Sequence, residues 1–156
     1  DTIAEDHPNL RLRIAGEGPE KNKLLELKAS LRNGDRIHFL GQVENDKMPD
    51  FMNQLDIFAM PSRFESFGVS ALEASACGLP VVAFKVRGLR ESLDDGVSAL
   101  LAAEGDNLAF EIFLRSLVED RELRLNMGSA GREIVAEKYD IVKTTQMQLD
   151  LYKSLL

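Results

Sequence analysis

The sequence has one cysteine, no long apolar run and a deficit of positive charge, and each absence excludes a class of protein. Cys77 alone cannot form an internal disulfide, and no residues have the spacing of a zinc-ligand set. No apolar run approaches the ~18 residues of a membrane span, and no apolar signal region opens the chain. With 19 Lys and Arg against 26 Asp and Glu, the net charge of −7 argues against a broad surface for nucleic acid or anionic membranes.

Length and composition place the chain among globular proteins. Its 156 residues correspond to one compact domain, which at this size buries about two thirds of its unfolded surface. Apolar residues make up 44% and charged residues 29% of the chain, close to the globular average, so intrinsic disorder is excluded. We expect residues 1–156 to form a single domain.

Strand-like and helix-like segments alternate along the chain. The strand-like segments are residues 10–15, 36–40, 56–60, 81–84 and 97–101. The helix-like segments are residues 19–31, 46–55, 66–76, 89–93, 108–119, 121–138 and 141–156. Because strands that alternate with helices through short glycine loops form parallel sheets, the pattern predicts a doubly wound α/β fold with helices on both faces.

Four loops carry the glycine and polar residues that such a sheet uses for binding. They span residues 16–19, 41–43, 62–68 and 84–88. Parallel sheets bind ligands at the carboxyl ends of their strands, where glycine loops lead into helices. We therefore expect these four loops to share one rim of the sheet.

The third loop and its helix contain two carboxylates that flank a set of backbone amides. Glu65 precedes the predicted helix, and Glu73 lies two turns inside it. Between them, the free N–H groups of Phe67, Gly68 and Val69 form an anion site at the helix N-terminus. The eight-residue separation spans at most ~12 Å in a helix, the reach of a sugar, a diphosphate and a ribose laid end to end. Carboxylates suit both ends because they accept hydrogen bonds from hydroxyl groups.

Each of these residues also has a structural interpretation. Glu65 could favour the helix dipole, Glu73 could be an ordinary exposed carboxylate, and Ser66 could cap the helix through the same amides. The loop 16–18 lacks the third glycine of a dinucleotide-binding fingerprint, since position 21 is Lys21, and by itself indicates a turn or a site equally well.

The stretch 61–83 also resembles a known enzyme family. It contains P-S-x-x-E-x-F-G and then L-E-A-x-A-C-G-x-P-V-V-A, in which Glu65 and Glu73 form a Glu-x7-Glu pair. These motifs are similar to those of the retaining group 1 glycosyl transferases, whose architecture is the two-domain GT-B fold. Further matches, in the family's order, lie at residues 15–19, 39–43 and 95–101, so the resemblance covers about the whole chain.

The resemblance implies that residues 1–156 are the C-terminal, donor-binding half of a sugar transferase whose N-terminal acceptor domain is absent from this chain. In the family, the glutamate matching Glu65 contacts donor-sugar hydroxyls, which makes Glu65 the catalytic candidate, in a positioning role. The glutamate matching Glu73 holds the ribose. The other implied donor-binding residues are Ser66, Phe67, Gly68 and Val69 at the diphosphate, Gly16, Glu17 and Gly18 along the donor cleft, and Gln42 and Val43 at the nucleobase.

The implied reaction transfers a sugar from a UDP or GDP sugar to an acceptor hydroxyl with retention of configuration. No cofactor is implied, and no metal, because the sequence has no Asp-x-Asp motif and a helix N-terminus can hold the phosphates. The implied partners are the N-terminal half of the enzyme and a glycan or lipid-linked acceptor, in cell-surface polysaccharide synthesis. We expect the chain to be cytoplasmic, at the inner face of the membrane in a full-length protein, and inactive alone.

The sequence departs from the family in two further places. The family's opening strand and its basic Gly-Arg…Lys-Gly loop would precede Asp1, so the opening residues 1–6 are interpreted as the end of a first helix. Lys85 stands where relatives often have an acidic or small residue, and Arg87 follows it. This basic pair could contact the acceptor or a phosphate, or belong to the surface.

Two other classes of function remain open from the sequence. One is a GT-B-like sugar-nucleotide epimerase or phosphorylase-like domain; a phosphorylase would need a lysine for its cofactor. The other is a non-catalytic response-regulator-like module. That module would need a phospho-accepting Asp after an early strand, where this chain has the loop 16–18 instead.

Overall fold

The computed structural model describes residues 2–155 and divides the chain into two compact units, Asp1–Met48 and Pro49–Leu156. Each unit contains a parallel sheet with helices beside it. The α/β class with parallel strands is therefore confirmed, and the two units are described separately below. That residues 1–156 serve as one donor-binding domain stays a prediction.

The first unit follows the predicted alternation of strand and helix. Its elements are α1 (Thr2–Asp6), β1 (Leu12–Ala15), α2 (Lys21–Ser30), a 3-10 turn (Gly34–Arg36), β2 (Ile37–Gly41) and a second 3-10 turn (Asn45–Lys47). β1 and β2 pair in parallel, with Leu12 opposite Ile37. Gly34 lets the chain fold back after α2, because a Cβ there would lie 2.0 Å from the Lys28 carbonyl oxygen.

The second unit contains three parallel strands in the order β3-β4-β5. Its elements are α3 (Met48–Met52), β3 (Phe58–Met60), α4 (Val69–Ala76), β4 (Val81–Phe84), α5 (Arg87–Ser92), β5 (Ala99–Ala102), α6 (Asn107–Glu119), α7 (Arg121–Lys138) and α8 (Ile141–Ser154). Val81 of the central strand pairs with Phe58 on one side and Ala99 on the other. The loops after the three strands therefore leave the sheet at the same edge.

The core of the second unit surrounds its central strand. All four residues of β4 are buried, as expected for a parallel strand covered on both faces. Val82 packs with Leu117 of α6 and Met127 of α7. Gly128 allows α7 to lie against the end of α4, because a Cβ there would be 2.0 Å from the Gly78 carbonyl oxygen. The long C-terminal helices thus fix the sheet that carries the site.

The last three helices each begin at an aspartate that caps the first turn. The side chains of Asp106, Asp120 and Asp140 accept hydrogen bonds of 2.9 Å from backbone N–H groups two or three residues later. These caps set the boundaries close to those predicted from the sequence. No helix within residues 2–155 combines the length and hydropathy needed to cross a membrane.

Four elements of the second unit begin later than the sequence pattern predicts, and α3 and β3 are each two residues late. For the other two, α4 and β5, the backbone shows the cause. Helix α4 begins at Val69, three residues late, because Gly68 adopts a left-handed conformation with φ 84°. Strand β5 begins at Ala99, two residues late, because the Asp94 carbonyl oxygen accepts hydrogen bonds from three successive N–H groups at 2.9–3.3 Å and forms a turn. The late start of α4 changes the geometry of the candidate site.

Candidate functional site

The turn between β3 and α4 ends at Gly68, the N-terminal cap residue of α4. Its φ of 84° and ψ of 46° are left-handed values that glycine adopts without strain. The Gly68 carbonyl oxygen accepts hydrogen bonds from the N–H groups of Ala71 at 3.0 Å and Leu72 at 3.2 Å. Helix α4 is thereby closed by backbone alone, and the interpretation of Ser66 as its N-cap is wrong.

This turn presents a row of backbone donors without acceptors. Within residues 2–155, the N–H groups of Phe67, Gly68, Val69 and Ser70 make no hydrogen bond to the protein. Such groups at a helix N-terminus, with the helix dipole behind them, form a site for an anion. The three predicted amides thus lie together without a protein acceptor, although Gly68 itself is buried and Phe67 and Val69 are exposed. The N–H of Ser70 is a fourth such donor, which the sequence pattern does not predict.

The loop after β4 holds this turn in place through Gly88. The Gly88 N–H donates to the Glu65 carbonyl oxygen at 3.2 Å. A Cβ on Gly88 would lie 2.5 Å from that oxygen, and 2.6 Å from both the Phe67 nitrogen and the Ser66 carbonyl carbon. Since all three neighbours are backbone atoms, only glycine permits this approach. The segment at Gly88 and the turn after β3 are therefore held together by a close backbone contact that leaves no room for a side chain.

Aromatic packing adds a second support for the turn. The ring of Phe67 meets the ring of Tyr139 edge to face, with centroids 5.8 Å apart. Beside Tyr139, the Lys138 ammonium pairs with the Asp94 carboxylate at 3.1 Å. The end of α7 is thus attached both to the turn and to the loop before β5.

The two predicted carboxylates flank the amide row along the chain. Glu65 is half-buried before it, and Glu73 is exposed on α4, on the same helix face as Val69 and about 6 Å further along the axis. Neither carboxylate makes a hydrogen bond or ion pair within residues 2–155. Both retain their full capacity to accept hydrogen bonds from a ligand.

A cleft of about 590 Å³ opens on the Glu65 side of the turn, at the carboxyl ends of β3, β4 and β5. Its lining residues are Arg63, Phe64, Glu65, Ser66, Lys85, Val86, Arg87, Arg90, Glu91 and Glu104. The loops at 62–68 and 84–88 thus meet, as predicted. Glu73 is not among the lining residues, so the two glutamates do not share this cleft.

The predicted residues of the first unit gather at the ends of β1 and β2. The Gly16 N–H donates to the Gly41 carbonyl oxygen at 2.7 Å, which joins the two loops. The Glu17 carboxylate pairs with the Lys21 ammonium at 2.7 Å. Gly18 and Gln42 are exposed, whereas Val43 is half-buried. Glu17 therefore differs from Glu65 and Glu73 in already having a cation partner.

Cys77, which follows α4, shows no sign of chemical activation. Burial raises the pKa of its thiol, an effect that Arg132 partly offsets and Glu73 reinforces. A thiol with a raised pKa is protonated at neutral pH and is a weak nucleophile. Within residues 2–155, no three His, Cys, Asp or Glu side chains cluster as metal ligands.

Comparison with known proteins identifies the family. The family model for glycosyl transferases group 1 matches residues 1–134. The chain belongs to this family. The resemblance seen in the sequence is thereby confirmed, and the site lies in a stretch that the family model covers.

Individual relatives support the same assignment for this group 1 glycosyl transferase chain. N-acetyl-alpha-D-glucosaminyl L-malate synthase of Bacillus anthracis is 33% identical over 146 residues, 94% of this chain and 38% of that protein. Anabaena HepE in complex with UDP and glucose is 27% identical with a TM-score of 0.81, covering 99% of this chain and 43% of that one. The C-terminal domain of a group 1 family protein, LpcC of Francisella tularensis, is 26% identical with a TM-score of 0.80 over 90% of this chain and 75% of that one. The chain spans well under half of the Bacillus protein's length.

Sequence reasoning about this glycosyl transferase chain missed two features of the site. The first is Gly88, whose close approach to the Ser66–Phe67 peptide depends on three-dimensional contact and has no local motif. The second is the cation set of the cleft, in which Arg63 and Arg90 join the predicted pair Lys85 and Arg87. The ligand-binding roles of all these residues stay predictions.

Proposed function

We propose that this chain is the donor-binding part of a retaining glycosyl transferase that moves a sugar from a nucleoside diphosphate to an acceptor hydroxyl. The observation that carries the proposal is the row of unpartnered N–H groups at residues 67–70, with the free carboxylates Glu65 and Glu73 on either side. Backbone donors suit a diphosphate, and carboxylates suit the hydroxyl groups of a sugar and a ribose.

In the proposed reaction, the bond between the anomeric carbon and the diphosphate oxygen breaks, and the acceptor oxygen bonds to the same face of that carbon while its hydroxyl proton passes to the departing diphosphate oxygen. The departing diphosphate gains negative charge, so the N–H groups of Phe67, Gly68 and Val69 stabilise the transition state more than the ground state. These donors are pre-organised, since the backbone contact of Gly88 fixes their turn. Glu65 would orient the sugar, and Glu73 would bind the ribose.

We assign the remaining donor contacts to the first unit. Gly16 and Gly18 would let the donor approach the backbone, and a Cβ at either position would meet no atom within 4 Å. Gln42 and Val43 would meet the nucleobase. Glu17 is paired with Lys21, so we propose a weaker role for it than for Glu73.

The nucleotide and the setting are also proposals. HepE, 27% identical to this chain, has UDP and glucose in its structure, which supports UDP as the nucleotide ahead of GDP. We further propose that activity requires an N-terminal acceptor half, and that the full protein works in the cytoplasm, at the inner membrane face, on a glycan or lipid-linked acceptor. No metal or cofactor forms part of this proposal.

Thermal denaturation in the presence of nucleotides tests the proposal. A ligand that binds only the folded chain at 100 times its Kd stabilises it by about 2.7 kcal/mol, so UDP or UDP-glucose should raise the Tm. ATP at the same concentration is the control for nonspecific phosphate effects. No shift with either UDP or GDP at millimolar concentration would contradict a donor site.

A transfer assay separates the proposal from an epimerase. Joined to an acceptor half, the chain should release UDP only when an acceptor is present and should form a new glycosidic bond with the donor's anomeric configuration. An epimerase would instead convert the UDP-sugar into its stereoisomer without an acceptor. Detection of that isomer by NMR would contradict the proposed reaction.

A further inference from the structure

The cleft beside Glu65 is lined by four basic and three acidic residues, so it carries a slight excess of positive charge in an acidic chain. Four of the 19 basic residues line it, although the net charge of the chain is −7. These four are Arg63, Lys85, Arg87 and Arg90. They come from the turn after β3 and from β4 to α5, so the fold rather than one local charge run brings them together.

Two of the four cations are already satisfied by the protein. The Lys85 ammonium donates to Asp95 at 2.9 Å, and a second oxygen of Asp95 accepts the Leu101 N–H at 3.0 Å. Arg87 pairs with Glu91 on the next turn of α5 at 3.2 Å. Because Lys85 and Arg87 already have carboxylate partners, a ligand anion would gain less from binding to them.

The other two cations, Arg63 and Arg90, belong to exposed residues and have no such partners. Within residues 2–155, neither guanidinium group makes a hydrogen bond or ion pair, although Glu65 and Glu104 line the same cleft. A guanidinium group carries five N–H donors in a planar fork that matches the two oxygens of a carboxylate or phosphate. The cleft therefore offers donors for an anion and free carboxylates for the hydroxyl groups around it.

The position of the cleft separates this anion from the donor diphosphate. Of the four residues assigned to the diphosphate, its lining includes Ser66 but none of Phe67, Gly68 or Val69, whose backbone N–H groups form the proposed diphosphate site. Glu73, at the proposed ribose end, is also outside the lining. An anion in the cleft would thus lie on the sugar side of the amide row.

We propose that Arg63 and Arg90 form an anion subsite for a carboxylate or phosphate group carried by the transferred sugar or by the acceptor. The anion subsite follows from the cleft itself, whereas its assignment to the sugar or the acceptor rests on the proposed function. Glu65 and Glu104 accept hydrogen bonds from hydroxyl groups of the same ligand. The ligand class is therefore an acidic sugar or a phosphorylated polyol.

The subsite is tested by titrating the 156-residue chain with inorganic phosphate and with D-glucuronate while NMR follows the Nε–H signals of its arginines. We expect the Arg63 and Arg90 signals to shift, and the affinity to fall about tenfold or more in the double variant Arg63→Gln/Arg90→Gln, in line with lost charge-assisted hydrogen bonds. Arg121→Gln, an exposed change outside the cleft, should bind as the wild type. If neither anion shifts these signals, or if the double variant binds equally well, the proposal is overturned.

Nucleotide binding then identifies the source of the anion. If the sugar carries it, UDP-glucuronate should bind about tenfold more tightly than UDP-glucose, and the double variant should lose this preference. If the acceptor carries it, the preference should be absent and phosphate should still bind the chain saturated with UDP-glucose. Absence of the preference together with displacement of phosphate by UDP-glucose would overturn a separate subsite.

The affinity for UDP alone separates the two proposals. We expect Arg63→Gln/Arg90→Gln to bind UDP as the wild type does, because the diphosphate is assigned to the amide row. A tenfold loss would instead place the diphosphate on these guanidinium groups and overturn the subsite. If neither UDP nor GDP binds the wild type while phosphate shifts the Arg63 and Arg90 signals, the proposed function fails and the anion subsite stands.

Discussion

The loop after β1 and the turn after β3 are both predicted to hold the donor, and both contain glycine for different reasons. In the first loop, a Cβ at Gly16 or Gly18 would meet no atom within 4 Å. At the second site, a Cβ at Gly68 would lie 2.3 Å from a leucine side chain, and one at Gly88 would lie 2.5 Å from a backbone oxygen. In the first loop glycine thus serves the backbone conformation at Gly16, where φ is 126°, and leaves open space at Gly18, whereas at the second site it allows two chain segments to touch.

The carboxylates of the two regions differ in the same way. Glu17 in the first loop pairs with Lys21 at 2.7 Å. Glu65 and Glu73, beside the turn after β3, make no hydrogen bond or ion pair within residues 2–155. Unmet hydrogen-bonding capacity, rather than glycine content, distinguishes the turn after β3 as the stronger candidate site.

The largest expected difference between the two regions is in unfolding free energy, and it separates the variants Gly88→Ala and Gly18→Ala. The new Cβ at position 88 would lie 2.5–2.6 Å from three backbone atoms, which can separate only if the two loops move apart. We expect a loss of about 3 kcal/mol in unfolding free energy, at the upper end for overpacking, and loss of UDP binding. Urea denaturation and calorimetric titration measure the two effects.

Gly18→Ala is the matched control, because its Cβ would enter open space. Its unfolding free energy should stay within about 0.5 kcal/mol of the wild type, as for most surface substitutions. If Gly88→Ala were equally mild, the contact between the two loops would not be the rigid support inferred above.

The next effect is on UDP binding, and it separates the unpaired carboxylate Glu73 from the paired carboxylate Glu17. Glu73→Ala should weaken UDP binding by about 1.5–3 kcal/mol, the range for hydrogen bonds to a charged group, without changing stability. Glu17→Ala should weaken UDP binding by about 0.5 kcal/mol or less, because the Glu17 carboxylate is already paired with Lys21 and half-exposed surface pairs of this kind contribute little. Calorimetric titration with UDP and with the 2′,3′-dideoxy analogue measures this directly.

The analogue also provides the internal check. If Glu73 binds the ribose hydroxyl groups, Glu73→Ala should not weaken binding of the dideoxy nucleotide any further. A similar loss for both nucleotides would show that Glu73 acts through the diphosphate or the helix, and the ribose assignment would be wrong.

The elements and the amide row could be predicted because their causes are local in sequence. The apolar run of β4 indicates a strand buried on both faces, and the structure buries all four of its residues. The position of Phe67 and Gly68 in the first turn of the predicted helix 66–76 predicts free N–H groups, and the structure leaves those groups without acceptors. Local periodicity and helix physics suffice for such features.

The remaining features depend on contacts between distant segments or on one backbone angle. The sequence pattern places the start of α4 at Ser66, whereas the helix begins at Val69 because Gly68 adopts a left-handed conformation. The approach of Gly88 to Glu65 joins the start of α5 to the turn after β3, and the presence of Arg63 and Arg90 in one cleft requires the sheet order. A single sequence carries no signal for these pairs.

The smallest expected effect separates backbone conformation from packing within the turn itself. Gly68 and Gly96 have similar φ angles of 84° and 78°, so alanine at either position costs about 1–2 kcal/mol of left-handed strain. Only at Gly68 would the new Cβ also meet a neighbour, Leu89 Cδ2 at 2.3 Å, whereas Gly96 faces open space. Gly68→Ala should therefore be about 1 kcal/mol more destabilising than Gly96→Ala in urea denaturation. Equal losses would mean that the Leu89 side chain rotates away, and that conformation alone requires glycine in this turn.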